Sequence, residues 1–409
     1  MKILEEIKPN KKEIDKANKE LSSFLEELKK YIKDCEIVVG GSFAKDTWLS
    51  GDHDIDLFIR FPYEKYKNQD ISRILKERIK NFNFKIIHGS RDYFQVSKKG
   101  FTFELIPVLN IKNIKQSKNI TDLSPFHTIW VKEQAKNTDE IRLAKKFIKE
   151  NNLYGAETHI KGFSGYTIEI LVAYYKTFFN FINNAAKWGK REVIDIKKYY
   201  TDKKSVFSKI NKSKLSTLIV IDPIDKNRNT SAALSSKNYF KFIQLCKDHL
   251  KNPDDEFFKR KKIDFKLLKN NYRNSKIAIL KIKPLKEKKD IAGAKVLKIL
   301  DYINSRLKHE GFTIYDYDVL WNSKVLAWII IKDETLSEYK KHYGPPIKEE
   351  LHLKYFREKW KNYKFKEEGN RVYIEIKRES RNIKGFLKNL IKNDNIVKEN
   401  VKKIKVKVI

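Results

Sequence analysis

The sequence predicts a multidomain α+β protein whose first domain is built around one mixed sheet. Its 409 residues exceed what one hydrophobic core usually serves, which indicates two to four domains. The 41% of hydrophobic residues is enough for packed cores and excludes an intrinsically disordered chain. Strand-like alternation and helix-like periodicity interleave along the chain, and in the clearest strand Ile55, Leu57 and Ile59 face one side.

The elements of the first domain follow from these two periodicities. Apolar residues recur every three or four positions between Ile14 and Ile32, which is typical of an amphipathic helix. Lys98-Lys99-Gly100 has the composition of a hairpin turn. In chain order the patterns predict a helix at 11–33, strands at 36–39 and 54–60, a helix near 71–81, and two or three strands within 84–111.

The rest of the chain is predicted to form a helical middle and an α+β end. The middle has helices at 139–151, 162–183 and 232–250, a strand at 218–221, and a polar linker at 251–255. The end has strands at 275–283, 312–321, 325–332, 371–377 and 402–409, and helices at 290–309, 335–361 and 382–393. Its strand–helix–strand–strand order is a ferredoxin-like pattern. The predicted domains are therefore 1–135, 136–257 and 258–409.

The net charge of +35 favours a polyanionic partner. Residues 251–409 alone carry 41 Lys and Arg against 22 Asp and Glu, which suits a long footprint on a phosphate backbone. An AT-rich genome also produces abundant lysine, but it explains less well why Asp and Glu are so much less numerous than Lys and Arg. An anionic membrane is a weaker alternative, because no basic amphipathic segment ends in a lipid-facing aromatic cluster.

The apolar segments and the cysteines predict a soluble, cytoplasmic protein without a membrane partner. The longest apolar runs, such as Val325 to Ile331, have the length of strands and not of transmembrane helices. The first residues contain no apolar core of a signal peptide. Two cysteines, Cys35 and Cys246, cannot form a disulfide framework and are interpreted as buried thiols.

The stretch from Gly40 to Leu57 carries the clearest chemistry. A predicted strand ends in Gly40-Gly41-Ser42, where backbone N–H groups and a hydroxyl can approach a phosphate closely. A dozen residues later, Asp54 and Asp56 alternate on one face of a strand. Two carboxylates this close repel each other unless a cation lies between them, and Mg²⁺ prefers oxygen ligands.

A third carboxylate, Glu104, lies on another extended segment. Three carboxylates on adjacent strands can hold two Mg²⁺ ions, which activate a hydroxyl and orient a triphosphate for in-line displacement. The alternative is a solvated strand face, and for an isolated Asp-x-Asp it would be preferred. Here the Asp pair is flanked by apolar residues and preceded by the glycine–serine turn, which favours the metal site.

These residues resemble the nucleotidyltransferase superfamily built around DNA polymerase β, and Gly41 to Asp56 closely resembles the archaeal (class I) CCA-adding enzymes. The resemblance continues in family order over nearly the whole chain. Its further segments are Ser124-Pro125-Phe126-His127 with Trp130, Arg142 to Lys145, Tyr154 to Glu157, Gly162 to Tyr166, Asp222-Pro223 with Arg228-Asn229, and His342 to Pro346.

The resemblance implies template-independent addition of C, C and A to the 3′ end of tRNA from CTP and ATP. The first domain would be catalytic, the second would complete the nucleotide pocket, and the third would hold the tRNA acceptor stem. Asp54, Asp56 and Glu104 would be the catalytic, Mg²⁺-binding carboxylates. The nucleotide would be bound by Gly41, Ser42, Lys45, Ser124, His127, Lys145, Tyr154, Arg228 and Asn229. The family has Arg at position 45 and usually Asp at position 104, so this chain departs from it there.

Several of these residues also have plain structural interpretations. His127 and Tyr154 could pack in a core, Lys145 could lie on a solvated helix face, and Arg228 could be a surface residue of a polar turn. Two other functions stay open: another nucleotidyltransferase of the superfamily, of the oligoadenylate synthetase or poly(A) polymerase type, and a non-catalytic RNA-binding protein. The sequence leaves the oligomeric state open, with a homodimer as one option.

Overall fold

The described chain forms two compact units, Met1–Lys262 and Ile263–Ile409. The computed structural model describes residues 2–260, 263–287, 289–321 and 325–409. Both units mix helices and strands, so the predicted α+β class is confirmed. No helix in these ranges is long and apolar enough to cross a membrane.

The first unit begins with a sheet-containing region and continues into a helical one. Its strands are β1 (Glu36–Val39), β2 (Asp54–Pro62), β3 (Phe84–Ile87), β4 (Tyr93–Lys98), β5 (Phe101–Asn110), β6 (Glu192–Ile194) and β7 (Leu218–Val220). Its helices are α1 (Lys2–Ile7), α2 (Lys11–Lys29), α3 (Gly41–Ala44), α4 (Tyr63–Tyr66), α5 (Ile71–Arg78), α6 (Ser124–Gln134), α7 (Thr138–Glu150), α8 (Gly165–Tyr175), α9 (Phe178–Ala185), α10 (Lys203–Lys209) and α11 (Ser236–Lys251). Short 3₁₀ turns lie at 114–116, 120–123, 212–214 and 255–258.

The five-stranded sheet of this unit has the order β1-β2-β5-β4-β3. The β2–β5 pair is parallel and the other pairs are antiparallel, so the predicted mixed sheet is confirmed. Three strands fill 84–111, and Lys99-Gly100 forms the predicted turn with both residues at positive φ. The apolar face of α2 covers the sheet, where Phe24 stacks on Phe103 with ring centroids 4.1 Å apart. This core fixes the position of β2 and β5, which carry the three predicted carboxylates.

The helical region has a second core, and two sequence predictions fail within it. The helix predicted at 162–183 is two helices, α8 and α9, because Lys176 adopts φ +76° and Thr177 caps the next helix. The linker predicted at 251–255 is not one, because Phe257 and Phe258 directly after it are buried in the core. Asn151 Nδ2 also donates to the Phe257 carbonyl over 2.8 Å. The boundary between the compact units follows Lys262.

The second unit contains the predicted ferredoxin-like pattern. Its strands are β8 (Ser275–Pro284), β9 (Ile314–Leu320), β10 (Val325–Lys332), β11 (Tyr339–Pro346), β12 (Phe365–Glu368), β13 (Arg371–Lys377) and β14 (Val401–Val408). Its helices are α12 (Phe265–Asn270), α13 (Lys289–Glu310), α14 (Glu350–Lys359), α15 (Ile383–Asn393) and α16 (Asn395–Asn400). The four-stranded antiparallel sheet has the order β14-β8-β10-β9, which is the ferredoxin-like order.

A smaller three-stranded sheet, β11-β13-β12, is inserted between β10 and α15. Here the helix predicted at 335–361 is wrong over its first half. Residues 339–346 form β11, which pairs antiparallel with β13, and only 350–359 are helical. The proline pair 345–346 explains this, because proline lacks the N–H that a helix interior requires. His342 lies on the α14 side of this sheet, 5.8 Å from the Phe356 ring.

Candidate active site

The Gly40-Gly41 turn lies directly against the carboxylate of Asp56. Gly40 N donates to the Asp56 carbonyl over 2.8 Å, which ties the end of β1 to β2. Gly41 has φ +61°, a conformation that favours glycine, and a Cβ at this position would overlap the Asp56 carboxylate. A Cβ on Gly40 would overlap the Phe58 ring. Both glycines are therefore required for close approach of the turn to the strand.

The three predicted carboxylates lie on adjacent strands and on one face. Asp54 and Asp56 alternate on β2, and in the parallel register Asp56 lies opposite Glu104 of β5. Burial raises the pKa of Asp56 to about 6; the charge of Lys45 opposes this shift and the charge of Asp54 adds to it. A divalent cation bound between two such carboxylates would reduce their repulsion and favour the ionised form of Asp56.

The side chain of Glu104 is hydrogen-bonded to a neighbour on the same sheet. Gln95 of β4, its antiparallel neighbour, donates Nε2 to Glu104 Oε1 over 2.6 Å. Within the described ranges, no three His, Cys, Asp or Glu side chains are gathered in a metal-ligating arrangement. The donor set nevertheless fits Mg²⁺ chemically, because it consists of carboxylate oxygens beside a turn that would exclude any larger residue. The assignment of the metal to these residues stays a prediction.

Two lysines converge on one buried carboxylate next to this site. Lys45, just after α3, donates to Glu169 Oε2 over 2.6 Å, and Lys145 of α7 donates to Glu169 Oε1 over 2.8 Å. Thr47 Oγ1 also donates to Glu169 Oε1, over 2.9 Å. Burial opposes ionisation of Glu169, but the lysine charges prevail and lower its pKa to about 2. Lys145 is buried, so the interpretation of it as a solvated surface lysine does not hold.

A second cluster is centred on Asp222, which is completely buried. It accepts hydrogen bonds from His127 Nε2 over 3.1 Å, from Tyr166 Oη over 3.0 Å and from Arg228 over 2.7 Å. His127 stacks on Tyr166 with ring centroids 4.2 Å apart, and burial lowers the pKa of His127. The charge of Lys45 also contributes to the lowered pKa of His127, which fits the proximity of the two clusters.

The other predicted nucleotide-binding residues have distinct surroundings. Tyr154 borders the lysine pair, since a Cβ on Gly165 would lie 2.8 Å from its hydroxyl and 3.9 Å from Lys145 Cε. Burial raises the pKa of Tyr154. Ser42 and Ser124 are half-buried, the first within the turn and the second at the start of α6.

Asn229 differs from the rest because its side chain is engaged by its own loop. Its Oδ1 accepts from Val220 N and Ser231 N, each over 3.0 Å, and its Nδ2 donates to the Lys214 carbonyl over 2.9 Å. The amide therefore secures the turn after β7, directly beside Arg228. Its predicted place near the nucleotide base stays a prediction.

Three functional candidates were not identified as site residues from the sequence. Tyr166 and Asp222 stand inside segments that carry the family resemblance, but no role was assigned to them. Glu169 had an independent signal, because it is a lone acid in the otherwise apolar helix segment Ile168–Ala173. A charged residue there is almost never fully buried unless it is paired. That signal predicts a buried partner of opposite charge.

Family models cover most of the chain. They match a nucleotidyltransferase domain at 21–126, a tRNA nucleotidyltransferase second domain at 139–259, and a CCA-adding enzyme C-terminal domain at 275–407. The CCA-adding enzyme of Nanoarchaeum equitans is 35% identical over 91% of this chain and 91% of its own length. The chain belongs to the archaeal CCA-adding enzyme family. It is therefore a tRNA nucleotidyltransferase.

Other comparisons agree with this membership. The CCA-adding enzyme of Sulfurisphaera tokodaii is 32% identical over 84% of this chain and 80% of its own. The CCA-adding enzyme of Methanosarcina barkeri is 31% identical over 88% of this chain and 80% of its own length. A solved structure of the Cid1 poly(U) polymerase with Mg and 3′-dATP aligns with a TM-score of 0.51, over 64% of this chain and 97% of its own, at 15% identity. At this identity, that likeness shows a shared fold over the aligned share of the chain and nothing more.

Proposed function

We propose that this chain adds C, C and A to the 3′ end of tRNA, using CTP and ATP and no nucleic-acid template. The observation that carries the proposal is the alignment of Asp54, Asp56 and Glu104 on one face of β2 and β5, against the Gly40-Gly41 turn. Membership in the CCA-adding family supports the choice of reaction and of tRNA as the acceptor.

The chain's own residues have separable roles in this reaction. Asp54, Asp56 and Glu104 would hold two Mg²⁺ ions; when bound, these neutralise charge on the triphosphate and on the attacking hydroxyl. The turn at Gly41-Ser42 presents backbone N–H groups to the phosphates. The 3′ hydroxyl of tRNA attacks the α-phosphorus and its proton passes to water. The bond between the α-phosphorus and the oxygen that bridges it to the β-phosphate breaks, the new phosphodiester bond forms, and pyrophosphate leaves toward Lys45 and Lys145.

The Asp222 cluster is proposed to hold the sugar and base end of the nucleotide. Asp222 fixes both His127 and Arg228, and the guanidinium carbon of Arg228 lies 6.0 Å from the Tyr166 ring centroid. Arg228 keeps about a third of its side chain exposed, so its donors can reach a base edge. One site of this kind serves both CTP and ATP, since a guanidinium donates to acceptors on either base.

The deciding experiment incubates the protein with Mg²⁺, labelled CTP and ATP, and tRNA that lacks its last three nucleotides. Sequencing of the product ends is expected to show C, C and A in that order. Poly(A) tails formed from ATP alone would instead favour a poly(A) polymerase. Asp56→Asn serves as the inactive control, because it removes charge at the metal site and leaves tRNA binding intact. Incorporation by Asp56→Asn at the wild-type rate would contradict the metal assignment.

A further inference from the structure

Glu169 connects the two regions of the first unit at the centre of the site. It lies on α8, which belongs to the helical core, whereas Lys45 and Thr47 follow the Gly40-Gly41 turn. Its neighbours Ile168 and Ile170 are completely buried, and Glu169 itself is 1% exposed. A carboxylate in such surroundings is retained only when it is paired and hydrogen-bonded.

The donors of the two lysines are used very differently. Lys145 has three N–H groups, and they meet three protein acceptors: Glu169 Oε1, Thr47 Oγ1 and the Thr47 carbonyl, at 2.8, 2.9 and 3.3 Å. Among the described residues, Lys45 donates a hydrogen bond to Glu169 alone, over 2.6 Å. Lys45 thus keeps two donors available, and its side chain is 10% exposed against 4% for Lys145.

The charges of this cluster do not cancel. Glu169 supplies one negative charge to two ammonium groups that both contact it. Asp56 also acts electrostatically on both lysines, but it belongs to the predicted metal site. The remaining positive charge, beside a turn of backbone N–H groups, suits an anionic ligand that carries several phosphate oxygens.

We propose that Glu169 is a positioning residue for the triphosphate, holding the ammonium groups of Lys45 and Lys145 in place before CTP or ATP arrives. The inference rests on the proposed function, because it takes a nucleoside triphosphate as the ligand. Glu169 acts through the phosphate end, which CTP and ATP share. Its effect is therefore the same for C and for A addition, and it does not extend to tRNA.

The first test compares Glu169→Gln with Glu150→Gln in the full chain. Glu150 is the matched control, because it pairs with Lys146 over 2.8 Å on the same helix as Lys145 but outside the cluster. Glu169→Gln is expected to raise the KM values for CTP and ATP by about tenfold or more and by a common factor, as loss of a charged hydrogen bond predicts. The KM for tRNA stays at the wild-type value. An unchanged KM for both nucleotides, or an effect on only one of them, would overturn the proposal.

The second test measures binding of inorganic tripolyphosphate by calorimetry, without any reaction. Binding to Glu169→Gln is expected to weaken by the same factor as the nucleotide KM values. Tighter binding would overturn the proposal, since it would mean that Glu169 competes with the triphosphate for the lysines. This readout does not depend on CCA addition. Wild-type protein that binds tripolyphosphate but extends no tRNA would refute the proposed function and leave the role of Glu169 standing.

Three further variants separate positioning from a merely structural role. Glu169→Asp keeps the negative charge, so its KM for CTP is expected to lie between those of the wild type and Glu169→Gln. If Glu169→Gln does not fold, Glu169→Asp replaces it in the comparison with Glu150→Gln, and its KM values for CTP and ATP are expected to exceed those of the wild type. Two double variants are then compared: Lys45→Met with Glu169→Gln, and Lys45→Met with Lys145→Met. Because Glu169 acts through the two lysines, the first is expected to bind CTP no more weakly than the second, which lacks both lysines. An additional loss in the double variant that retains Lys145 would overturn the assignment.

Discussion

Gly41 is the residue at which one added methyl group has the clearest consequence. It combines φ +61° with a Cβ position that the Asp56 carboxylate already occupies. Gly41→Ala is therefore expected to displace Asp56 and reduce incorporation of C and A by at least about a hundredfold, or about 3 kcal/mol of transition-state stabilisation. The measurement is single-turnover incorporation on tRNA.

Gly100 supplies the matched control for this prediction. It also has positive φ, at +86°, but no atom lies within 4 Å of its Cβ position. Gly100→Ala is expected to lose about 1 kcal/mol of stability from the backbone conformation alone and to keep full activity. Equal activities of the two variants would show that the close approach of the turn to Asp56 is not required.

The contribution of Asp222 to the free energy of unfolding is expected to depend on pH within a defined range. Burial opposes its ionisation, but the bonds from His127 and the charge of Arg228 lower its pKa from 3.8 to about 2. A lowered carboxyl pKa contributes stability in full above pH 3.8, and this is lost as the pH falls through about 2. The contribution is about 2 kcal/mol. Urea unfolding of Asp222→Asn is expected to lack this part of the acid-induced loss, and an identical pH profile in both proteins would contradict the assignment.

The same residues show what a sequence can and cannot reveal about a site. Asp54 and Asp56 are recognisable because two-residue spacing on a strand fixes a common face. Glu169 is visible only as an acid in an apolar helix, and nothing in the sequence states that Lys45, which precedes it by 124 positions, is its partner. Asn229 shows the converse, since its position in a family segment does not reveal that its amide is engaged by its own loop.

At the scale of elements, local backbone conformation explains why the helix predicted at 162–183 is interrupted. The segment 162–183 has helical periodicity, yet Lys176 takes φ +76° and ends α8. Lys176→Gly is expected to raise the free energy of unfolding by about 1 kcal/mol, because glycine adopts this conformation without strain. Thr177→Ala is expected to lower it by about 1 kcal/mol, since Thr177 Oγ1 accepts from Asn180 N over 3.1 Å and caps α9. Changes of the same sign in the two variants, measured by urea unfolding, would contradict this account.

The strands were predicted more successfully than the helix ends. β2 alternates between polar and apolar residues from Asp54 to Leu57, and β14 alternates from Ile404 to Val408. β8 and β10 are rich in apolar and β-branched residues, so the existence of these strands follows from pattern alone. The helix at 335–361 was predicted because lysines and glutamates are common in solvated helices. The proline pair 345–346 opposes a continuous helix there, but the pairing of β11 with β13 is a long-range contact that the sequence pattern does not show. The linker predicted at 251–255 failed for a related reason. Its polar sequence gives no sign that Phe257 and Phe258, directly after it, are buried in the core of the first unit.

For the whole molecule, the division after Lys262 separates the predicted active site from most of the predicted tRNA footprint. The first unit contains the carboxylates, the lysine pair and the Asp222 cluster, with hydrophobic cores of its own. Residues 263–409 have a separate core and carry 36 Lys and Arg against 19 Asp and Glu. An RNA duplex is bound largely through phosphates and backbone shape, which suits dispersed basic residues.

Removal of residues 263–409 is therefore expected to abolish most tRNA affinity and to leave binding of CTP with Mg²⁺ intact. Filter binding at several salt concentrations measures the first effect. Because each phosphate contact adds to the slope of log K against log salt, the truncated chain should show a shallower slope as well as weaker binding. Calorimetry with CTP provides the control that the first unit is folded. If these lysines are only solvated surface charge, the truncated chain keeps the affinity and the salt slope of the full protein, and the C-terminal unit is not the tRNA-binding region.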